Sequence, residues 1–179
     1  MISLLNRKPE SFDTVCRWLS NSSINRWLTS EWRNRVVNST TIAIALRNPR
    51  NRMFLILYGE RPCGLVCLAE IDAPDRTAMV WYLLGDTSLS GRGIVSQAVR
   101  ELVQIAFGEM GLNSLYAWVM QDNIDSQRVL ERAGFTRAGR IRRAAFSAGR
   151  LVDRIYFDIV STQPGDNKCL DKRVDGSIR

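Results

Sequence analysis

The chain has 179 residues, of which 45% are hydrophobic, so it is long enough to form one globular domain with a substantial core. It carries a formal charge of +7 and contains no histidine. Serine–histidine and cysteine–histidine nucleophilic mechanisms and histidine-containing metal sites are therefore excluded, and we expect no metal. Catalysis would have to use carboxylates, hydroxyls, thiols, backbone dipoles or the reactivity of a bound cofactor.

The sequence also disfavours assigning this chain to the membrane, secreted or nucleic-acid-binding proteins. No run of about 18 apolar residues occurs, so no transmembrane helix is expected. The N-terminus lacks the features of a signal peptide, and the four cysteines lack zinc-site spacing, so a cytoplasmic protein with reduced thiols is predicted. The positive charge is typical either of a solvated surface or of a site for phosphate-bearing ligands. Nucleic acid is a disfavoured partner because no nucleic-acid-binding motif accompanies the charge.

The first part of the chain alternates from helical to extended patterns. Apolar residues at helical spacing predict an amphipathic helix over 9–20, and a second short helical stretch is predicted over 24–32. Segments rich in β-branched residues then predict strands over 40–47 and 52–59. The second of these strands is expected to form a hairpin with 64–71.

The rest of the chain contains one strand–helix–strand crossover and a closing hairpin. In chain order, the predicted elements are a strand at 78–86, a helix at 93–110, a strand at 113–120, a helix at 123–135 and strands at 138–146 and 150–160. Residues 161–179 are polar and predict a flexible tail. The pattern predicts a single domain over 1–160 with a mixed α/β fold, in which helices lie on the faces of a sheet.

A glycine-bearing turn joins the strand at 78–86 to the long helix. Gly91 and Gly93 would let an anionic ligand approach the unpaired N–H groups at the helix N-terminus, and Arg92 would add a positive charge. The turn matches neither a Walker motif nor a dinucleotide fingerprint, because it lacks the lysine of the first and the third glycine of the second. A simple tight turn stays an alternative interpretation.

Residues 55–160 resemble the second half of the GNAT superfamily of N-acetyltransferases. The similarity is greatest to the group that includes the ribosomal-protein N-terminal acetyltransferases. The matching motifs are GRGI at 91–94, N-x-x-S at 123–126, VLERAGF at 129–135 and GR-x-x-D at 149–153. The resemblance implies a twisted, mostly antiparallel sheet of six to seven strands. It also implies transfer of an acetyl group from acetyl-CoA to a primary amine, either of a protein N-terminus or of an amino sugar or other small molecule.

The resemblance also implies where acetyl-CoA binds. The pyrophosphate is assigned to the turn and the first turn of the long helix, and the pantetheine arm to the preceding strand and to Asn123. The assigned residues are Val80, Tyr82, Leu83, Leu84, Ser90, Gly91, Arg92, Gly93, Ile94, Val95, Ser96 and Asn123. Ser90 and Val95 depart from the family pattern, which has Gln or Arg at the first position and Gly or Ala at the second.

The catalytic residues implied by the family pattern are incomplete in this chain. The usual tyrosine proton donor is replaced by Leu130, and the resemblance instead points to Ser126, with Asn123 binding the pantetheine or an ordered water. Both residues are equally suited to capping a helix. Glu70 and Asp72 are candidate bases or solvated turn carboxylates, whereas the position at which relatives often have an acid is Met79. Direct attack in a ternary complex is favoured over an acetyl-enzyme.

The sequence leaves the identity of the acceptor and the oligomeric state open. The tryptophans at 27, 32 and 81 and Tyr82 either line an acceptor cleft or pack in the core. The arginines of the closing hairpin are either solvated or face the adenosine 3′-phosphate or an acidic acceptor. A monomer or a homodimer fits the sequence, as does an acyl group longer than acetyl. A non-catalytic acyl-CoA-binding module and a nucleic-acid-associated protein are the alternative functions.

Overall fold

A seven-stranded sheet runs through the molecule, with strand order β1-β2-β3-β4-β5-β7-β6. The computed structural model describes residues 1–5, 8–33, 36–147 and 149–162. The strands are β1 (Ile2–Leu4), β2 (Arg52–Tyr58), β3 (Arg61–Asp72), β4 (Thr77–Leu84), β5 (Ser114–Met120), β6 (Thr136–Ser147) and β7 (Arg150–Val160). Only β4 and β5 are parallel neighbours. The predicted mixed, mostly antiparallel sheet is confirmed.

Helices cover both faces of the sheet. They are α1 (Phe12–Ser20), α2 (Ser22–Asn25), α3 (Ser39–Arg47), α4 (Ile94–Gln104) and α5 (Ile124–Arg132). A π-helical turn over Ile105–Glu109 extends α4, and Gly111, with φ of 65°, follows its end. Of the predicted tail at 161–179, all but the first two residues lie outside the described residues.

The strand predicted over 40–47 is wrong, because this segment forms the helix α3. The Asn38 side chain caps the helix by accepting a hydrogen bond from the Thr41 backbone N–H at 2.9 Å. Ile42 and Ala45 are buried on one helical face, whereas Ile44 is 63% exposed. The β-branched residues suggested a strand, but the cap and this one-sided burial favour the helix. Of the second helical stretch, predicted over 24–32, only Ile24 and Asn25 are helical, as the end of α2, and the rest of the prediction is wrong because residues 26–32 form turns.

Two hydrophobic clusters hold the layers together. One packs α4 and α5 against a face of the sheet, and the other packs α1, the segment after α2, and α3 against the opposite face. Residues 63–68 of β3 are all buried, as expected for a central strand that is covered on both sides. The sheet is therefore the middle of three layers.

Of the four cysteines, three lie in the described part of the chain and all three are free. Cys63 and Cys67 are buried in β3, and burial raises the pKa of both thiols. Cys67 is thus a core thiol rather than an activated nucleophile, since a raised pKa disfavours the reactive thiolate. Cys169 lies outside the described residues.

The parallel strands β4 and β5 separate shortly after they meet. They pair only over Thr77–Met79 and Ser114–Tyr116, although β4 continues to Leu84 and β5 to Met120. The divergence opens the sheet beside the N-terminus of α4. No helix in the described ranges is long and apolar enough to cross a membrane.

Candidate active site

A cavity of about 540 Å³ occupies the gap where β4 and β5 diverge. Its walls come from these two strands, from the N-terminal parts of α4 and α5, and from α2 with the segment after it. Val80 and Tyr82 belong to the α4 side of the sheet, whereas Trp81 belongs to the α1–α3 side. Because residues from both sides line it, the cavity passes through the sheet.

The N-terminus of α4 opens into the cavity without a side-chain cap. Its N-cap, Gly93, has φ of 75° and Gly91 has φ of 77°, a left-handed conformation that glycine adopts without strain. No atom lies within 4 Å of the position that a Cβ would occupy at either glycine. The first N–H groups of the helix are thus accessible and carry the positive end of the helix dipole. This arrangement suits an anionic group.

Ser96 adds a hydroxyl to the same wall. It is only 3% exposed, and its Oγ has no hydrogen-bond partner within the described residues. A buried hydroxyl without a partner is unfavourable, so a phosphate oxygen at this place would satisfy it. Arg128 and Arg132 line the cavity as well, whereas the predicted contact residue Arg92 is exposed and does not. The other predicted residues of the turn, Ser90, Ile94 and Val95, line the cavity.

The β4 edge offers backbone groups to the cavity. Val80, Tyr82, Leu83 and Leu84, which were predicted as pantetheine contacts, all line it. Beyond Met79, the peptide groups of β4 that face β5 have no strand partner in the described structure. An extended ligand with amide groups would pair with this edge in the manner of an added strand.

Three polar side chains meet where β4 approaches α5. Asn123 caps α5 by accepting a hydrogen bond from the Ser126 N–H at 3.2 Å. The Tyr82 hydroxyl donates to the Ser126 carbonyl oxygen at 2.9 Å and lies 2.8 Å from Ser126 Oγ. Either oxygen can be the donor in the hydrogen bond between the two hydroxyls. All three residues line the cavity.

Tyr82 has a role that sequence reasoning missed. It was expected to contact pantetheine and either to line an acceptor cleft or to pack in the core, but its hydroxyl orients Ser126. Burial raises the pKa of Tyr82, so its hydroxyl stays protonated at neutral pH. Leu130, which stands where relatives have a tyrosine, is fully buried. A tyrosine among the apolar residues of β4 was the available signal, but its partner on α5 is 44 residues away.

Glu70 lies apart from this group. It occupies a bulge of β3 with φ of 53°, is exposed, and does not line the cavity. Its carboxylate accepts a hydrogen bond from the Tyr116 hydroxyl. Burial raises the pKa of Tyr116, and the hydrogen bond and charge of Glu70 raise it further. The structure thus brings Ser126 and Asn123 to the cavity but not Glu70, whose role as a base stays a prediction.

Aromatic rings form the side of the cavity that faces α2. Trp27, Trp81 and Trp118 line it, whereas Trp32 is buried and packs on Trp81 with ring centroids 5.7 Å apart. Sequence analysis did not single out Trp118, which alternates with core residues along β5. On the closing hairpin, Arg140 and Arg150 form ion pairs with carboxylates at the surface.

Comparison with known proteins agrees with this architecture. The family model described as "Acetyltransferase (GNAT) domain" matches residues 3–136. The chain is 30% identical over 108 residues to the "Putative ribosomal N-acetyltransferase YdaF" of Bacillus subtilis, covering 60% of this chain and 58% of that protein. It is 44% identical over 85 residues to the "Probable N-acetyltransferase YjcK" of Bacillus subtilis, covering 47% and 46%. The chain therefore spans about half the length of these two relatives.

A third relative and a solved structure extend the similarity. The "Ribosomal-protein-serine acetyltransferase" of Escherichia coli is 29% identical over 113 residues, covering 63% of each chain. The spermidine N-acetyltransferase from Vibrio cholerae, solved in complex with CoA and spermine, superposes with a TM-score of 0.77 at 19% identity, covering 89% of this chain and 94% of that one. The predicted resemblance is confirmed: the chain belongs to the acetyltransferase (GNAT) domain family.

Proposed function

We propose that this protein transfers an acetyl group from acetyl-CoA to a primary amine. The observation that carries the proposal is the uncapped N-terminus of α4, which opens into the gap between β4 and β5. That gap combines a backbone site for an anion with an unpaired strand edge. Coenzyme A needs both, because its diphosphate is an anion and its pantetheine arm carries amides. Family membership supports the same donor.

The residues that would hold acetyl-CoA fit its chemistry. The backbone N–H groups of 91–96 and the unpaired Ser96 hydroxyl suit the diphosphate oxygens. Arg128 and Arg132 supply positive charge at the cavity wall, which Arg92 does not line. The free edge of β4 from Val80 to Leu84 suits the two amides of pantetheine. When bound, acetyl-CoA supplies an activated thioester, so positioning the amine accounts for much of the rate.

Ser126 is proposed as the proton donor to the departing sulfur. As the amine nitrogen bonds to the acetyl carbon, the bond between that carbon and sulfur breaks and leaves a thiolate. Ser126 Oγ passes its proton to that sulfur and is restored by the proton that the attacking nitrogen releases, so charge balances. Tyr82 holds the Ser126 hydroxyl in place from 2.8 Å and is a positioning residue.

A base is not needed inside the cavity if the amine arrives uncharged. Asp125 is a carboxylate of the cavity wall, but its side chain is 93% exposed and faces Arg128 at 3.6 Å. We propose that bulk water takes the ammonium proton before attack, with Glu70, one of the candidate bases in the sequence, as the alternative acceptor.

The test combines binding with turnover. Calorimetry should detect acetyl-CoA binding, and free thiol should appear when peptides with a free N-terminus, amino sugars or polyamines are added. Binding without thiol release from any amine would favour the alternative, a non-catalytic acyl-CoA-binding module. Absence of binding would overturn the proposal. The same titration with acyl-CoA of longer chain length tests the donor.

A further inference from the structure

Three tryptophans form an aromatic wall on the side of the cavity that faces α2. Trp27, Trp81 and Trp118 line the cavity, and all three side chains stay partly exposed there. Trp81 packs with the cluster on the α1–α3 side of the sheet, whereas Tyr82, which holds Ser126, packs on the opposite side. The aromatic wall thus lies across the sheet from the proposed donor site, where an acceptor would approach.

Each of the three rings is held by a neighbour that does not line the cavity. The Arg26 guanidinium lies over the Trp27 ring, with its Cζ 4.6 Å from the centroid. The Arg154 guanidinium lies over the Trp118 ring at 4.0 Å. The third ring packs on Trp32, with the centroids 5.7 Å apart. Because these contacts fix the rings from outside the cavity, a ligand that binds them loses little free energy in ordering them.

The charges around the aromatic wall disfavour an acceptor with additional positive charge. Among the described residues, the charged ones that line the cavity are Asp125, Arg128 and Arg132, and all three belong to α5. Asp125 already pairs with Arg128 at 3.6 Å. An indole face can bind a cation, but Arg26 and Arg154 already occupy a face of two of the rings. A further cation would be repelled by both guanidinium groups.

The aromatic wall also offers few hydrogen-bonding groups to a highly polar acceptor. In the adjoining segment 23–29, the hydroxyls that line the cavity belong to Ser23 and Thr29. Ser23 Oγ already donates to Asn21 Oδ1 at 2.8 Å. A sugar would bring several hydroxyls to this wall, and each buried hydroxyl without a partner is unfavourable. A flat apolar ring needs no such partners and packs well against indole rings, either stacked or edge to face.

We propose that the acceptor is a primary amine with an aromatic ring a few bonds from the nitrogen, and that Trp27, Trp81 and Trp118 bind this ring. The inference rests on the proposed acetyl transfer and names the class of its acceptor. The ring belongs either to a small amine or to the aromatic first residue of a peptide, since the chemistry of the two is the same. A polyamine, such as the spermine in the complex of the structural neighbour from Vibrio cholerae, would be a poor acceptor.

Matched acceptors test the proposal on the unaltered protein. With acetyl-CoA saturating, kcat/KM is compared for phenethylamine, cyclohexylethylamine and ethylamine, and for peptides that begin with phenylalanine, cyclohexylalanine or alanine. In at least one series, we expect the aromatic member to exceed the small member by roughly 10- to 100-fold, because its ring is buried. It should exceed the saturated ring by about threefold to tenfold, because aromatic pairs gain energy beyond the buried area.

The two series also identify the source of the ring, as a small amine or a peptide. Glucosamine and spermidine should be poorer acceptors than the better aromatic compound. The inference is wrong if neither aromatic acceptor exceeds its small partner, or if glucosamine or spermidine is preferred. Equal rates for the aromatic and the saturated ring would overturn it as well, since the wall would then be selective only for apolar area.

Variants assign the preference to the wall. Trp118→Leu and Trp27→Leu keep an apolar side chain but remove a ring, so each should abolish most of the preference for the aromatic over the saturated ring. Trp118→Phe should retain part of it. The ratio of the two kcat/KM values is compared, because loss of folded protein lowers both values equally. Trp18→Leu is the matched control, since Trp18 is partly buried against Gly85 and does not line the cavity. Equal loss of preference in Trp18→Leu and Trp118→Leu would contradict the assignment.

The outcomes separate this inference from the proposed function. If acetyl-CoA binds and another class of amine is preferred, the acceptor class is wrong and the acetyltransferase stands. If acetyl-CoA does not bind, the proposed function itself fails. Ring binding is then tested without turnover, by titrating tryptophan fluorescence with phenethylamine in the presence and absence of CoA. A saturable change that ethylamine does not produce would support the ring site, and no saturable change in either condition would overturn it.

Discussion

The two ends of the cavity are built in different ways. The end at α4 consists largely of backbone, with glycines in the left-handed conformation and uncapped N–H groups. The end at the aromatic wall consists of side chains from distant segments, namely residues 23–29, β4 and β5. A backbone site binds any ligand that carries a diphosphate. The ligand preference of a side-chain site, in contrast, changes when one of its residues is substituted.

This contrast agrees with the roles that we propose for the two ends, namely binding of acetyl-CoA at α4 and binding of the acceptor at the aromatic wall. The proposed donor end relies largely on the chain conformation, to which Ser96, Arg128 and Arg132 add side chains. We therefore expect it to tolerate Ser90 and Val95, which depart from the family pattern. The proposed acceptor end depends on the identity of individual residues, such as Trp27 and Trp118. Mutations at the donor end should therefore act by changing the backbone conformation, whereas mutations at the acceptor end should act by changing the side-chain contacts with the acceptor.

The largest effect is expected from filling the donor end. Gly93→Val would place a β-branched side chain where the diphosphate is proposed to approach, in a left-handed conformation that disfavours it. We expect the Kd of acetyl-CoA, measured by calorimetry, to rise about 100-fold, equivalent to about 2.8 kcal/mol.

Gly59→Val provides the matched control for this change. Gly59 has φ of 60° in the β2–β3 turn and also has open space around it, but it does not line the cavity. The backbone strain should destabilise both variants by roughly 1–2 kcal/mol in urea unfolding, because the left-handed conformation is strained for valine. Equal acetyl-CoA affinity in the two variants would show that the donor does not bind at Gly93.

A smaller effect is expected at Ser126 and Tyr82, at the junction between the two ends of the cavity. Ser126→Ala should lower kcat about 100-fold, and Tyr82→Phe about tenfold, because general acid catalysis commonly contributes factors of this size. The KM for acetyl-CoA should change little in either variant. Since the raised pKa of Tyr82 keeps it protonated, kcat should not fall between pH 7 and pH 9 through ionisation of this residue.

Ser39→Ala serves as the control for removal of a serine hydroxyl. Ser39 lies in the first turn of α3, as Ser126 lies in that of α5, and it does not line the cavity. A rise in KM for acetyl-CoA without a change in kcat would assign Ser126 and Tyr82 to binding of the donor instead of proton transfer.

The smallest effect is expected at Glu70, outside the cavity. Glu70→Gln removes a negative charge that raises the pKa of Tyr116, so Tyr116 should titrate at a lower pH in the variant than in the parent. Ultraviolet difference spectra on alkaline titration would show the shift. We expect kcat to fall less than about threefold, whereas a loss of 100-fold would restore Glu70 as the general base.

The sequence predicted best those structural features that depend on residues close together along the chain. The glycine turn, the cap Asn123 and the hairpin are local patterns, and they placed α4, α5 and β6–β7 within a few residues. The strand predicted at 40–47 failed because the cap at Asn38 and burial against β2 and β3 outweighed β-branched propensity. The pairing of Tyr82 with Ser126, and of Arg154 with Trp118, follows from tertiary packing that no local pattern contains.

The divergence of β4 and β5 has a consequence for the order of events in turnover. Because the gap passes through the sheet, the donor is expected to enter beside α4 while the acceptor enters past the aromatic rings, and neither blocks the route of the other. Initial-velocity patterns should then be those of a random sequential reaction. Each product should inhibit competitively against the substrate that shares its own route.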